Sequence, residues 1–166
     1  LDADISRCAR YHCDRHVNKM ILESVQMLCT VLNERGFQTP YKSTHRKHPC
    51  VLWVDRSYDN FLWLAQLTAE LNREYRFRYG KDRDHASIKV LDKIMHLEYE
   101  FRGLTEFAQA MPDEYKVPGD AVSAYRAFYR GEKQAFARWT RRPTHDTWIP
   151  HAARPNGQLP TRICST

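Results

Sequence analysis

Several familiar sequence patterns are missing from this chain of 166 residues, and each absence excludes a class of protein. No apolar run approaches the roughly 18 residues of a membrane-crossing helix, so no membrane partner is expected. The patterns G-x-x-x-x-G-K-[ST] and G-x-G-x-x-G are both absent, which argues against nucleotide hydrolysis by a P-loop. Base deamination by zinc is not expected either, because Pro49-Cys50 lacks the second cysteine of P-C-x-x-C.

Cysteine usage and the first residues both favour the cytoplasm. The chain has five cysteines, an odd and scattered set unlike a secreted disulfide framework, so we expect reduced thiols. Residues 1–10 mix acids, bases and a cysteine, unlike a secretory signal, and we expect native residues to precede Leu1. Cysteines and histidines cluster at residues 8–16 and 45–50 without paired C-x-x-C spacing. We therefore expect no cofactor, with a structural zinc as the weaker alternative.

Hydrophobic spacing predicts an all-α fold, with no convincing alternation of the strand type. We expect a single compact multi-helix domain over residues 1–142 and an irregular or partly disordered tail over residues 143–166, which are rich in Pro, Thr and Gly. The predicted helices are a short one capped by Asp2 or Asp4, then residues 14–34, 49–55, 57–79, 85–101 and 120–130, with a last helical piece reaching residue 141.

A narrow polar stripe runs along the predicted helix 14–34. His16, Lys19, Glu23, Gln26 and Thr30 are spaced 3, 4, 3 and 4 residues apart, so they share one edge of the helix. Apolar residues border this stripe on both sides. We therefore expect Lys19 and Glu23 to pair at the wall of a polar cleft. The alternative is an exposed helix edge with one salt-bridged pair.

A basic, histidine-rich segment lies just before Pro49, which suits the first turn of a helix. Helix N-termini attract anions, and the neighbouring bases strengthen that attraction, so this loop predicts a phosphate site. An ordinary basic surface loop is the alternative. The polar stripe and this histidine-rich segment together supply the predicted catalytic residues: His16, Lys19, Glu23, Gln26, His45 and His48.

The net charge of +6 and the isoelectric point near 9.1 favour a polyanionic partner. Residues 73–81 and 125–142 interleave bases with aromatic rings, a combination typical of nucleic-acid binding. The predicted phosphate- or DNA-binding residues are Lys42, Arg46, Lys47, Arg76, Arg78, Lys81, Arg126, Arg130 and Lys133.

Five segments of the chain resemble a set of small phage-encoded helical proteins. They are D-R-H-V-N-K-M-I-L-E-S-V-Q-M-L at 14–28, T-H-R-K-H-P-C at 44–50, R-Y-G-K at 78–81, M-P-D-E-Y-K at 111–116, and residues 125–139. The resemblance is to the amino acid:DNA transferases of phage DNA hypermodification. It implies an enzyme with DNA and an amino acid as partners, working in the cytoplasm of an infected bacterium. In such systems an amine displaces the phosphate from a phosphorylated 5-hydroxymethyl pyrimidine.

Roles for the candidate residues follow from this resemblance. Glu23 takes a proton from the incoming amine or holds its ammonium form, and Tyr41 or Trp53 stacks on an extruded base. The departing phosphate is stabilised by the basic set Lys19, His45, Arg46, Lys47 and His48. Two alternatives stay open. One is a DNA glycosylase or lyase with Lys19 as a nucleophile activated by burial. The other is a non-catalytic nucleic-acid-binding or host-interaction protein.

Overall fold

The computed structural model describes residues 1–142, and this part of the chain is helical without any strand, which confirms the predicted all-α class. A 3-10 turn (Asp113–Tyr115) precedes the last α-helix, and a π-helical turn (Tyr129–Lys133, the π turn) follows it. The α-helices are α1 (Ile5–Tyr11), α2 (Asp14–Glu34), α3 (Pro49–Asp55), α4 (Tyr58–Tyr79), α5 (Ile88–Ile94) and α6 (Ala121–Phe128). The predicted irregular tail, residues 143–166, lies outside the described residues.

Short-range signals set most helix ends. The side chains of Asp4, Ser57 and Asp120 each accept a backbone N–H at the start of α1, α4 and α6. Gly80 ends α4 in the left-handed conformation, with φ of 58°. These contacts confirm the predicted starts of α1, α4 and α6, and the bounds of α2 and α3 agree with the prediction as well.

Two predicted helical segments are wrong. The helix expected over residues 85–101 is confined to Ile88–Ile94, because the following residues pack on α3 and α4 instead. Tyr99 there donates its hydroxyl to the Val54 carbonyl at 2.5 Å, and the Arg102 N–H donates to Ser57 Oγ at 3.1 Å. The last helical piece expected to reach residue 141 is also missing, since residues 137–139 have no helical structure. Tertiary contacts override local helix preference in both places.

The core forms mainly between α2 and α4. Val17, Ile21, Val25, Leu28 and Leu32 of α2 are fully buried, as their helical spacing predicts. They belong to the same hydrophobic cluster as Phe61, Leu64 and Leu71 of α4. Helical spacing also predicts Leu22 on this apolar face, but Leu22 is 38% exposed, so the buried face of α2 is narrower than its apolar face. Among residues 1–142, no helix has both the length and the apolar character needed to cross a bilayer.

A buried ion network ties residues 138–142 to the helices. The fully buried side chain of Arg78 on α4 donates to Glu74 at 2.8 Å and to Asp14 at 3.2 Å, and to the carbonyls of Arg10 and His12 at 2.7 Å each. Beyond α4, Thr140 donates to the same Asp14, and Arg142 donates to the same Glu74. The network thereby joins α1, α2, α4 and the segment after the π turn.

Candidate functional site

The polar stripe of α2 (His16, Lys19, Glu23, Gln26 and Thr30, hereafter the polar edge) lies on the surface at its centre. Lys19 and Glu23 form an ion pair at 3.0 Å, and their side chains are 60% and 39% exposed. The expected cleft wall is therefore corrected to an exposed helix edge. Gln26 is half-buried and Thr30 is fully buried, so the edge becomes covered again toward the C-terminal end of α2.

The segment that covers this end is residues 43–48, hereafter the histidine loop. Thr30 Oγ1 accepts the Thr44 N–H at 3.0 Å and also lies 3.3 Å from the Thr44 carbonyl. Glu34 accepts a hydrogen bond from Ser43 at 2.9 Å and pairs with Arg46 at 3.1 Å. The loop is thus docked on α2 at both the backbone and side-chain level.

The histidine loop lines an open surface depression of about 620 Å³. His45 and Lys47 are exposed, and His45 adopts a positive φ of 47°. His48 caps α3, because its Nδ1 accepts the Cys50 N–H at 3.2 Å. Lys42 and Lys47 are exposed and have no carboxylate partner among residues 1–142. The depression therefore offers the cations of Arg46 and Lys47 and the exposed imidazoles of His45 and His48 to an anion.

The two ends of the polar edge are far apart. An α-helix rises about 1.5 Å per residue, so His16 and Thr30 are separated by roughly 21 Å along α2. His16 and the histidine loop cannot contact one small reacting group together. The single catalytic cluster expected from the sequence is therefore corrected to two groups joined by one helix edge.

At the N-terminal end, His16 contacts the π turn. Its Nδ1 is hydrogen-bonded to the Tyr129 hydroxyl, and its ring packs edge-on against Tyr129 and Phe136, with centroids 5.2 and 5.8 Å away. Burial, together with nearby His12, Lys133 and Lys19, lowers the pKa of His16 to about 4. His16 is therefore neutral at pH 7.

Tyr129 was not among the residues predicted from the sequence. It lies within the aromatic segment 125–142, but its contact with His16 joins positions 113 residues apart. Nothing in the local spacing of either residue indicates that pairing. The nearest signal in the sequence is Gly131, which separates the predicted helix 120–130 from the last helical piece and lies within the π turn.

The cysteine and histidine groups show no metal geometry. In the part of the chain that the structure describes, no three His, Cys, Asp or Glu side chains are arranged to hold a metal ion. His12 Nδ1 lies 2.7 Å from the Cys8 carbonyl, and burial raises the pKa of the Cys13 thiol. All four cysteines among residues 1–142 are free thiols.

Both predicted base-stacking rings pack in or against the hydrophobic core. Trp53 is 4% exposed, packs against Trp63 and Phe107, and donates its Nε1–H to the Thr105 carbonyl at 3.4 Å. Tyr41 is half-buried, and its hydroxyl lies 3.1 Å from Ser87 Oγ. The expectation that Trp53 receives an extruded base is corrected, because its ring is buried against Trp63 and Phe107, whereas stacking on Tyr41 stays a prediction.

The predicted DNA-binding cations divide into structural and exposed residues. Arg78 belongs to the buried ion network, which corrects its expected role at the surface. Arg126 is also held by contacts within the fold, because it donates hydrogen bonds to the Leu1 carbonyl at 2.8 Å and to Asp2 at 2.9 Å. Arg76 is exposed and pairs with Asp84, while Lys133 lies 4.4 Å from the Phe128 ring centre. The remaining exposed members are Lys42, Arg46, Lys47, Lys81 and Arg130.

Comparison with known protein families, with curated proteins and with solved structures finds no match to this chain.

Proposed function

We propose that the chain is a DNA-modifying transferase that joins an amino acid to a phospho-activated 5-hydroxymethyl pyrimidine in the cytoplasm of an infected bacterium. One observation carries the DNA part of this proposal. The polar edge joins two groups that contain cations, and its ends, His16 and Thr30, lie roughly 21 Å apart along α2, which matches about six base pairs of B-DNA at roughly 3.4 Å each. A long polyanion suits this spacing better than a small ligand.

The two ends of the edge have different roles in the proposal. At the histidine loop, Lys42, Lys47 and His45 hold backbone phosphates, which fixes the register of the DNA. At the other end, Lys19 and Lys133 stabilise the charge of the departing phosphate. Both of these lysines lie near enough to His16 to lower its pKa. We therefore assign the proposed chemistry to the N-terminal end of α2.

The reaction balances without a further reactant. The amine nitrogen forms a bond to the 5-methylene carbon, the carbon–oxygen bond to the phosphate breaks, and the phosphate leaves with the electron pair. Glu23 accepts the proton that the amine loses. Its carboxylate is 39% exposed and within 3.0 Å of Lys19, so it is reachable from solvent and held in place.

Two alternative functions are affected differently by the structure. A lyase mechanism needed Lys19 to be buried, and its side chain is 60% exposed and ion-paired, which removes that support. A non-catalytic nucleic-acid-binding protein is the second candidate, and it is favoured by the openness of the depression at the histidine loop. Glu23→Gln separates this candidate from the transferase, because only the transferase needs the carboxylate.

The test measures nucleoside masses. DNA that carries phosphorylated or pyrophosphorylated 5-hydroxymethyl pyrimidine is incubated with the protein and each amino acid, then digested and analysed by mass spectrometry. We expect one amino acid to replace the phosphate. Glu23→Gln should abolish this change and retain DNA binding, whereas Glu70→Gln, which removes a carboxylate paired with Arg73 on α4, should preserve it. Unchanged masses with every amino acid and both activated forms would overturn the transferase.

A further inference from the structure

The π turn places a phenol against the inner nitrogen of His16. π-helical turns are rare and recur at functional sites. Here the turn follows α6 directly and brings Tyr129 to His16 Nδ1, while Phe136 packs on the same imidazole. The Tyr129 side chain is buried, and that of His16 is half-buried. The ring of His16 is thereby fixed in one orientation on α2.

We propose that Tyr129 is a positioning residue whose hydroxyl donates a hydrogen bond to His16 Nδ1. His16 then carries its own proton on Nε2 and presents that N–H as a donor to a phosphate oxygen. The identity of the ligand as a phosphate rests on the proposed function. The choice of tautomer does not, since it follows from the contacts of the two rings.

The direction of the hydrogen bond follows from the available protons and acceptors. Burial keeps the pKa of Tyr129 well above its usual range, so its hydroxyl stays protonated at neutral pH. That hydroxyl faces His16 Nδ1 and the Cys13 thiol, which burial also keeps protonated. A thiol sulfur is a weak acceptor, whereas a neutral imidazole nitrogen is a good one. Tyr129 therefore donates to His16, and the proton of the neutral ring resides on Nε2.

The outer nitrogen of His16 is free to meet a ligand. Nε2 makes no hydrogen bond to residues 1–142, and the only buried side-chain polar atom without a partner in that range is Ser24 Oγ. Nε2 is therefore not enclosed by residues 1–142. The charged groups that influence His16 are Lys19, Lys133 and Glu23, with His12 on the inner side. Two cations beside an N–H donor form a suitable surface for an anion.

This assignment divides the chemical roles between His16 and Glu23. An imidazole nitrogen that already carries a proton has no lone pair left to accept another, and the surroundings of His16 disfavour the cationic form that protonation at Nδ1 would give. His16 therefore serves as a hydrogen-bond donor to the phosphate, and the amine's proton goes to Glu23.

The test reads the tautomer directly by long-range proton–nitrogen NMR on the full chain labelled with nitrogen-15 histidine. In the wild type we expect His16 to be protonated at Nε2 only. In Tyr129→Phe we expect a mixture of tautomers and a raised His16 pKa, because the donor to Nδ1 is lost. Tyr115→Phe is the matched control, since Tyr115 also contacts the π turn through a 3.0 Å hydrogen bond to Glu132 and should leave His16 unchanged.

Titration with inorganic phosphate completes the test. We expect phosphate to shift the His16 Nε2–H signal, with an affinity about fivefold lower in Tyr129→Phe and unchanged in Tyr115→Phe, as the loss of one fixed donor implies. Protonation at Nδ1 in the wild type, or the same tautomer in Tyr129→Phe, overturns the positioning role, and the wild-type reading stands even if a variant misfolds. Unchanged nucleoside masses alongside the expected tautomer would overturn only the transferase.

Discussion

At the scale of single residues, histidines of this chain differ sharply in their surroundings. His12 and His16 lie against α1, α2 and the π turn, and burial lowers their pKa values to about 3 and about 4. His45 lies exposed on the histidine loop. A histidine that is neutral in the folded protein and protonated when unfolded makes stability depend on pH.

The pH dependence of unfolding follows from these shifts. Below the ordinary histidine pKa of 6.5, the unfolded chain binds protons that folded His12 and His16 do not bind. The free energy of unfolding should therefore fall as the pH drops from about 7 to 5, by up to ~1.4 kcal/mol per pH unit for each histidine. Urea denaturation at several pH values measures this slope.

His12→Asn is the variant that checks the cause. An asparagine amide keeps a donor near the Cys8 carbonyl, 2.7 Å from His12 Nδ1, but does not titrate. We expect the slope between about pH 5 and 7 to decrease by up to ~1.4 kcal/mol per pH unit in this variant. Carboxylates titrate mainly below this window, so an unchanged slope would show that His12 is protonated in the folded state.

At the scale of elements, α4 carries two arginines with opposite situations. Arg76 is 48% exposed and pairs with Asp84 at the surface, whereas the side chain of Arg78 is fully buried between Glu74 and Asp14. The sequence gives both positions the same neighbours, bases alternating with aromatic rings. Only the packing of α4 on α1 and α2 separates a surface cation from a structural one.

Replacing these arginines should have unequal effects on stability. Arg78→Ala leaves the buried Glu74 carboxylate with only Arg142, which predicts a loss of about 3–5 kcal/mol in the free energy of unfolding. Arg76→Ala is the matched control and should change it by less than about 0.5 kcal/mol. Urea denaturation of both variants measures the difference. Equal effects would contradict the buried ion network.

Which features the sequence predicts depends on how local their causes are. The end of α2 before Gly36, the start of α3 at Pro49 and the stop of α4 at Gly80 follow from caps and breakers within a few residues. The overlong helix 85–101 and the buried Trp53 depend on packing against distant elements, which helical spacing does not encode. The polar edge was predicted as a stripe of residues. The exposure of Lys19 within it could not be predicted, because it depends on which elements pack on α2.

The site divides in the same way. Thr30, His16 and the histidine loop were recognised from residue type and spacing, and the roughly 21 Å between His16 and Thr30 follows from the continuous helix Asp14–Glu34. The contact of His16 with Tyr129 was beyond sequence reasoning, since it needs the π turn after α6. Local patterns therefore identified candidate site residues, whereas tertiary packing determined which of them are in contact.

At the scale of the whole molecule, the cations behind the net charge of +6 differ in whether a neighbouring carboxylate neutralises them. Several arginines are neutralised by neighbouring carboxylates, among them Arg35 by Asp55, Arg73 by Glu70 and Arg102 by Glu100. Lys42 and Lys47, beside and on the histidine loop, have no such partner among residues 1–142. A polyanion should therefore be held by particular unpaired cations rather than by the overall charge.

Salt dependence of DNA binding tests this distribution. Each phosphate contact contributes a slope of about 0.9 to the fall of log affinity with log salt on B-DNA, so Lys42→Ala/Lys47→Ala should reduce the slope by about 1.8. Arg73→Ala/Arg102→Ala removes the same formal charge from two ion-paired positions and should leave the slope nearly unchanged. Fluorescence anisotropy with a duplex at several salt concentrations measures both. If the two double variants lost slope equally, binding would follow net charge alone, and the histidine loop would have no special part in holding DNA.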